Sequence, residues 1–166
     1  MRKTAVTVLC VLIGTAGAAA APPADLTVDH LLTLCTAPGV QEAAQEGDKL
    51  GWRRMSDADT SAWRSGFQAH NGGPVELVGW KRDGSEGAES LSYWMSVGRN
   101  GHQACAYSTP RPGALLDALK ARLGPPDDFD SQPVIESTSA FWQRSGVAYQ
   151  FTQVGTSALV NISRTR

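Results

Sequence analysis

AESLSYWMSVGRNGHQACAYSTP, residues 88–110, reads as two strands joined at Arg99-Asn100-Gly101. In its first half Leu91, Tyr93, Met95 and Val97 point one way and Ser92, Trp94, Ser96 and Gly98 the other, the period of two that marks a half-buried strand. Asn-Gly supplies the positive φ angles that a type I′ hairpin turn needs at both central positions. The second strand, His102 to Ser108, carries Cys105, and the rest of the chain is placed by reference to it.

Upstream, Val75 to Arg82 predicts a further strand, closed by Asp83-Gly84 and a Gly/Ser/Glu loop. Downstream, Pro112 opens a helix through Leu115, Leu116, Leu119 and Leu123 that stops at Gly124-Pro125-Pro126. An acidic loop, Asp127-Asp128-Phe129-Asp130, leads to three short strands, Thr138 to Arg144, Val147 to Val154 and Ala158 to Arg164, with turns at Ser145-Gly146 and Gly155-Thr156. Toward the N-terminus, Thr27 caps a helix through Val28, Leu31, Leu32 and Cys35, and a second helix begins at Val40 and ends before Gly51. Between Trp52 and Pro74 the pattern is weak, with Asp59 or Ser61 read as the cap of a single turn holding Trp63. The order predicts an α+β domain: an antiparallel sheet of about six strands in two three-stranded meanders, with its helices packed on one face. A helix followed by three strands occurs twice, the order a distant duplication would leave.

The chain opens with Arg2 and Lys3, an apolar run from Ala5 to Ile13 and a tract of small residues, which predicts a secretory signal peptide over residues 1–20. Ala18 and Ala20 meet the small-x-small cleavage rule, and the apolar run falls short of the about 20 residues of a membrane span. Residues 21–166 are then a single domain of ordinary size, expected in the periplasm or outside the cell. Without Arg2 and Lys3 the 15 basic residues fall to 13 against 16 acidic, a net charge of −3 with no run of like charge. That balance argues against a nucleic-acid partner.

Cys35 and Cys105 remain once Cys10 leaves with the signal peptide, and in an oxidising compartment such a pair is expected to bridge. The rival reading, a free nucleophilic Cys105 beside His102, meets the difficulty that residues three apart on a strand point to opposite faces. If the first helix carries one half of the bridge, Cys105 must face the helices. An apolar set of Val75, Leu77, Leu91, Tyr93, Met95, Val97, Cys105, Tyr107, Phe141, Val147, Tyr149, Phe151, Val160 and Ile162 then faces them too. The opposite face collects Trp80, Trp94 and Trp142 among Val78, Ser92, Ser96, Ala104, Ala106, Gln150, Thr152 and Asn161. These three tryptophans are candidate anchors for a docked partner, because tryptophan is over-represented among binding residues. The other reading has residues 52–73, or the acidic loop, folded over this face as a second core.

His30, His70 and His102 lack the spacing of a zinc site, and Asp127, Asp128 and Asp130 are followed by neither the glycine nor the distal glutamate of a calcium loop. No nucleophile elbow, S-x-x-K pair or phosphate loop is present, so neither a metal nor a cofactor is expected. An enzyme would need a dispersed active site, for which His102, Glu89 and Arg144 are the candidates, and would be a small envelope hydrolase or transferase.

An early helical cysteine, the Gly51-Trp52 pair, and a strand cysteine followed by a leucine-rich helix resemble small uncharacterised exported proteins of bacteria. That resemblance implies a periplasmic or secreted location. The length, the one disulfide and the α+β order are similar to those of beta-lactamase inhibitor proteins, whose repeats join helices to a sheet that grips its target. The expected function is that of a non-catalytic exported module, docking a protein or cell-envelope component through the sheet face that bears Trp80, Trp94 and Trp142.

Overall fold

Turn chemistry sets the frame. Ser145 and Gly146 both have positive φ (50° and 79°), the backbone of a two-residue hairpin loop, and they turn β6 (Ser137–Arg144) into β7 (Val147–Val154). Gly155-Thr156 turns β7 into β8 (Ser157–Thr165), and Ser85-Glu86 joins β2 (Val75–Gly84) to β3 (Gly87–Ser96), followed by β4 (His102–Thr109). The structure, a computed structural model, describes residues 25–96 and 101–165. The expected signal peptide, Val97 and the turn expected at Arg99 and Asn100 lie outside the described residues.

Two further strands extend the meanders. β1 (Arg53–Arg54) pairs with β2, and β5 (Asp128–Gln132) with β6, so among the described residues the sheet has eight antiparallel strands in the order β1-β2-β3-β4-β8-β7-β6-β5. The expected six-stranded count is therefore corrected to eight. The two four-stranded halves join along β4 and β8, where Cys105 lies opposite Ile162.

The helical segments are α1 (Val28–Cys35), α2 (Val40–Asp48), α3 (Asp57–Asn71) and α4 (Leu115–Leu123). Thr27 caps α1 by accepting from the His30 N–H at 3.2 Å, as its position predicts. The helix after Trp52 is much longer than a single turn and starts earlier. Ser56 is its N-cap, and the Asp59 carboxylate returns a contact to the Ser56 N–H at 2.8 Å.

Cys35 and Cys105 form the expected disulfide, with Cα atoms 5.2 Å apart. The carbonyls of the turn after Cys35 are met from β4 and β3. Gln103 donates to Cys35 O and Ala37 O at 3.2 and 2.8 Å, and Tyr93 donates to Ala37 O at 2.9 Å. α1, α2 and α4 pack on this side of the sheet with Leu31, Leu34, Leu50, Leu119, Tyr93, Phe151 and Ile162 in one buried cluster.

The helices do not all lie on one face. Residues opposite each other in the register share a face, so Trp94 points away from Cys105, and Phe67 of α3 stacks on it with ring centroids 4.4 Å apart and planes 9° from parallel. α3 thus covers the other side of β2 and β3. A residue-to-residue contact fixes α2 equally firmly: a Cβ added at Gly47 would overlap the indole of Trp80. Alanine for glycine inside a helix ordinarily stabilises by about 1 kcal/mol. Gly47→Ala is instead expected to cost about 1–3 kcal/mol through overpacking, read as a lower urea midpoint. Adding Trp80→Leu should recover part of that loss, and strictly additive effects would refute the contact.

Candidate functional site

The three tryptophans part company. Trp80 and Trp142 are fully buried, at 0% exposure, on the helix side, where Trp80 donates to Asp48 Oδ1 at 3.0 Å and Trp142 to Gly124 O at 2.9 Å. They are core residues that tie the sheet to α2 and to the end of α4, and the expected three-tryptophan docking face is corrected accordingly. The cause is register: Trp80 lies opposite Leu91 and Trp142 opposite Tyr149, both of which face the helices. Val75, Leu77 and Phe141 move to the other face in exchange. Only Trp94 keeps its expected side, and there it is half-buried beneath Phe67.

What remains open is the half of that face built by β8, β7, β6 and β5, with the Ala106–Ser108 end of β4 beside it. Register aligns Ala106, Asn161, Gln150, Phe141 and Asp128 in one row across it, and Ser108, Leu159, Thr152, Ser139 and Asp130 in the next. Phe141, Leu159 and Val154 are 37%, 39% and 60% exposed, set among short hydroxyl and amide side chains. An antiparallel sheet commonly keeps one face wet, and here three large apolar side chains share that face across β6, β7 and β8. Asp128 and Asp130, read from sequence as part of a loop, form the outer edge of this face on a strand exposed along its whole length.

The dispersed active site does not assemble. Glu89 lies 3.0 Å from Thr109 at the end of β4, while His102 begins that strand, about 20 Å away at the rise of an extended chain. Arg144 points to the helix side, held by Asp127 at 2.6 Å and by the carbonyls of Leu123 and Pro125, whereas His102 faces the open side. Among the described residues no group of three His, Cys, Asp or Glu side chains is placed to hold a metal.

Glu89 is the centre of a different arrangement, one the sequence reading missed. Buried at 4% exposure, it accepts from Tyr107 at 2.7 Å and Thr109 at 3.0 Å through Oε1, and from Arg82 and Arg111 through Oε2. Arg82 also reaches Asp25 at 2.8 Å and lies 4.9 Å over the Trp52 ring. Burial pushes the Glu89 carboxyl up, but the bonds from Tyr107, Arg82 and Thr109 outweigh it and hold the group below its ordinary value. Burial, reinforced by Glu89, pushes the Tyr107 hydroxyl well up. A cavity of about 220 Å³ borders this cluster, but both Glu89 oxygens already carry protein donors, which makes the cluster a clamp between β2, β3 and β4. Its sequence signal was alternation: Glu89, Tyr107 and Thr109 fall on the helix-facing parity of their strands.

No family model, curated protein or solved structure matches this chain.

Proposed function

We propose that the chain is an exported, non-catalytic binding module that docks a protein or cell-envelope component through the uncovered half of its sheet. One observation carries this reading. The same face is covered by α3 on one half and left with Phe141, Leu159 and Val154 in solvent on the other. Apolar groups of that size, rimmed by polar side chains, are characteristic of interaction surfaces. The Cys35–Cys105 bridge is compatible with the export that the leader predicts, as is the finding that no helix among the described residues is long and apolar enough to cross a membrane.

Photocrosslinking in cells tests it. Benzoylphenylalanine at Gln150, which is exposed beside Phe141 on the open half, is expected to give a discrete adduct that Phe141→Ser removes. The same probe at Gln45, exposed on α2 across the sheet, should give none. Identical adducts from both positions, or none from Gln150, would defeat the proposal.

A further inference from the structure

Each half of the sheet passes from its edge strand to the next strand by one connection: β1 to β2 through α3, and β5 to β6 through the 3-10 turn Pro133–Ile135. In the first half the connection crosses the open face and lays Phe67 on Trp94. In the second it is four residues long, Pro133 to Glu136, and Val134 and Ile135 stand 97% and 60% exposed at that end of the strands. The molecule therefore shows, on one half, the kind of cover the other half lacks. The charges on the uncovered half are one-sided. The described residues of β4, β8, β7 and β6 that face it include no Lys or Arg, and Asp128 and Asp130 sit two apart on its edge, facing the same way. Neither aspartate makes an ion pair like the one that joins Asp127 to Arg144.

We propose that this half receives an amphipathic helix of a protein partner, lying as α3 lies on the first half. Its aromatic or leucine stripe would rest on Phe141, Leu159 and Val154, with lysines or arginines on the flank passing Asp128 and Asp130. The inference rests on the docking reading above and specifies its partner. A helix about 10 Å wide reaches across about two strand spacings of roughly 4.8 Å, from β8 to β6, and long basic side chains on its flank cover the further spacing to Asp128 and Asp130 on β5. Apolar contact supplies affinity, and the aspartates select against an acidic flank.

The test uses the full oxidised protein and two labelled synthetic helical peptides with the same Phe/Leu stripe, one flanked by lysines and one by glutamates, followed by fluorescence anisotropy. The lysine peptide is expected to bind about tenfold tighter, the effect of two exposed ion pairs, and to lose that margin in high salt. Asp128→Asn with Asp130→Asn should erase the preference, and Phe141→Ser should weaken both peptides without changing the urea midpoint. Equal affinities that still respond to Phe141→Ser would overturn the basic flank and leave the docking surface standing. Binding of neither peptide, or binding indifferent to Phe141→Ser, would overturn the helix as occupant even where Gln150 crosslinks. An adduct from Gln150 at twice the mass of the chain would identify a second copy and overturn the separate partner.

Discussion

Replacing both Cys35 and Cys105 by alanine is expected to remove about 4 kcal/mol of stability, the loop-closure value for a bridge spanning 70 residues. For a domain of this size that corresponds to a fall in Tm of roughly 15 °C, measurable by calorimetry. The loss has a structural counterpart. The bridge fixes the end of α1 against the middle of β4, and the Gln103 and Tyr93 bonds to the following turn depend on that placement. Cys35 and Cys105 are 3% and 0% exposed, so a thiol reductant should act slowly on the native protein and rapidly in urea. Fast reduction without unfolding would contradict the buried placement of the sulfurs.

Glu89→Gln is expected to cost about 3 kcal/mol at neutral pH, because it takes the buried negative charge away from both Arg82 and Arg111. The pH dependence follows from the sign of the shift. Glu89 titrates below its unfolded value, so its contribution is complete above the ordinary glutamate pKa of about 4.3 and is lost as pH falls through the lower folded value. Urea midpoints of the wild-type and Gln forms should therefore differ most above pH 5 and converge as the solution is acidified below pH 4. A difference that stays constant across that range would show that the carboxylate charge is not what the cluster uses.

Much of this arrangement was legible in the sequence, including a part that face-by-face counting overlooked. α1, α2 and α4 follow their apolar stripes, and the faces of β3, β4, β7 and β8 follow from Cys105. Trp142 was assigned outward by grouping Phe141 with the apolar set, yet the two-residue turn at Ser145-Gly146 puts Arg144 opposite Val147 and, two steps back on each side, Trp142 opposite Tyr149. Residues opposite one another share a face, so the turn already contained the answer. β2 misled for a second reason: it is apolar on both faces, with Val75 buried on one and Val78 and Trp80 on the other, because helices cover it from both sides. β1 and β5 carry no such signal. Two arginines and the run DFDSQ have no alternating apolar set, and they are strands only because β2 and β6 offer them an edge. α3 was hidden by its serines, glycine and histidine, and its one local mark is the pairing of Ser56 with Asp59 three residues on. The open half of the sheet was misread for the same reason as the tryptophans: Phe141 declares itself as surface only once the register is counted from the turns.

The seam between the two halves governs how the molecule comes into being. β4 borders β3 on one side and β8 on the other, and β8 is synthesised after the other seven described strands. Until it arrives, a chain that has finished everything through β7 still presents a bare row of amide and carbonyl groups at what will be the middle of its sheet, beside a cysteine already able to find its mate. Removing β8 would thus open the interior rather than trim the rim, and nascent or shortened forms are the ones exposed to sticking to their own kind.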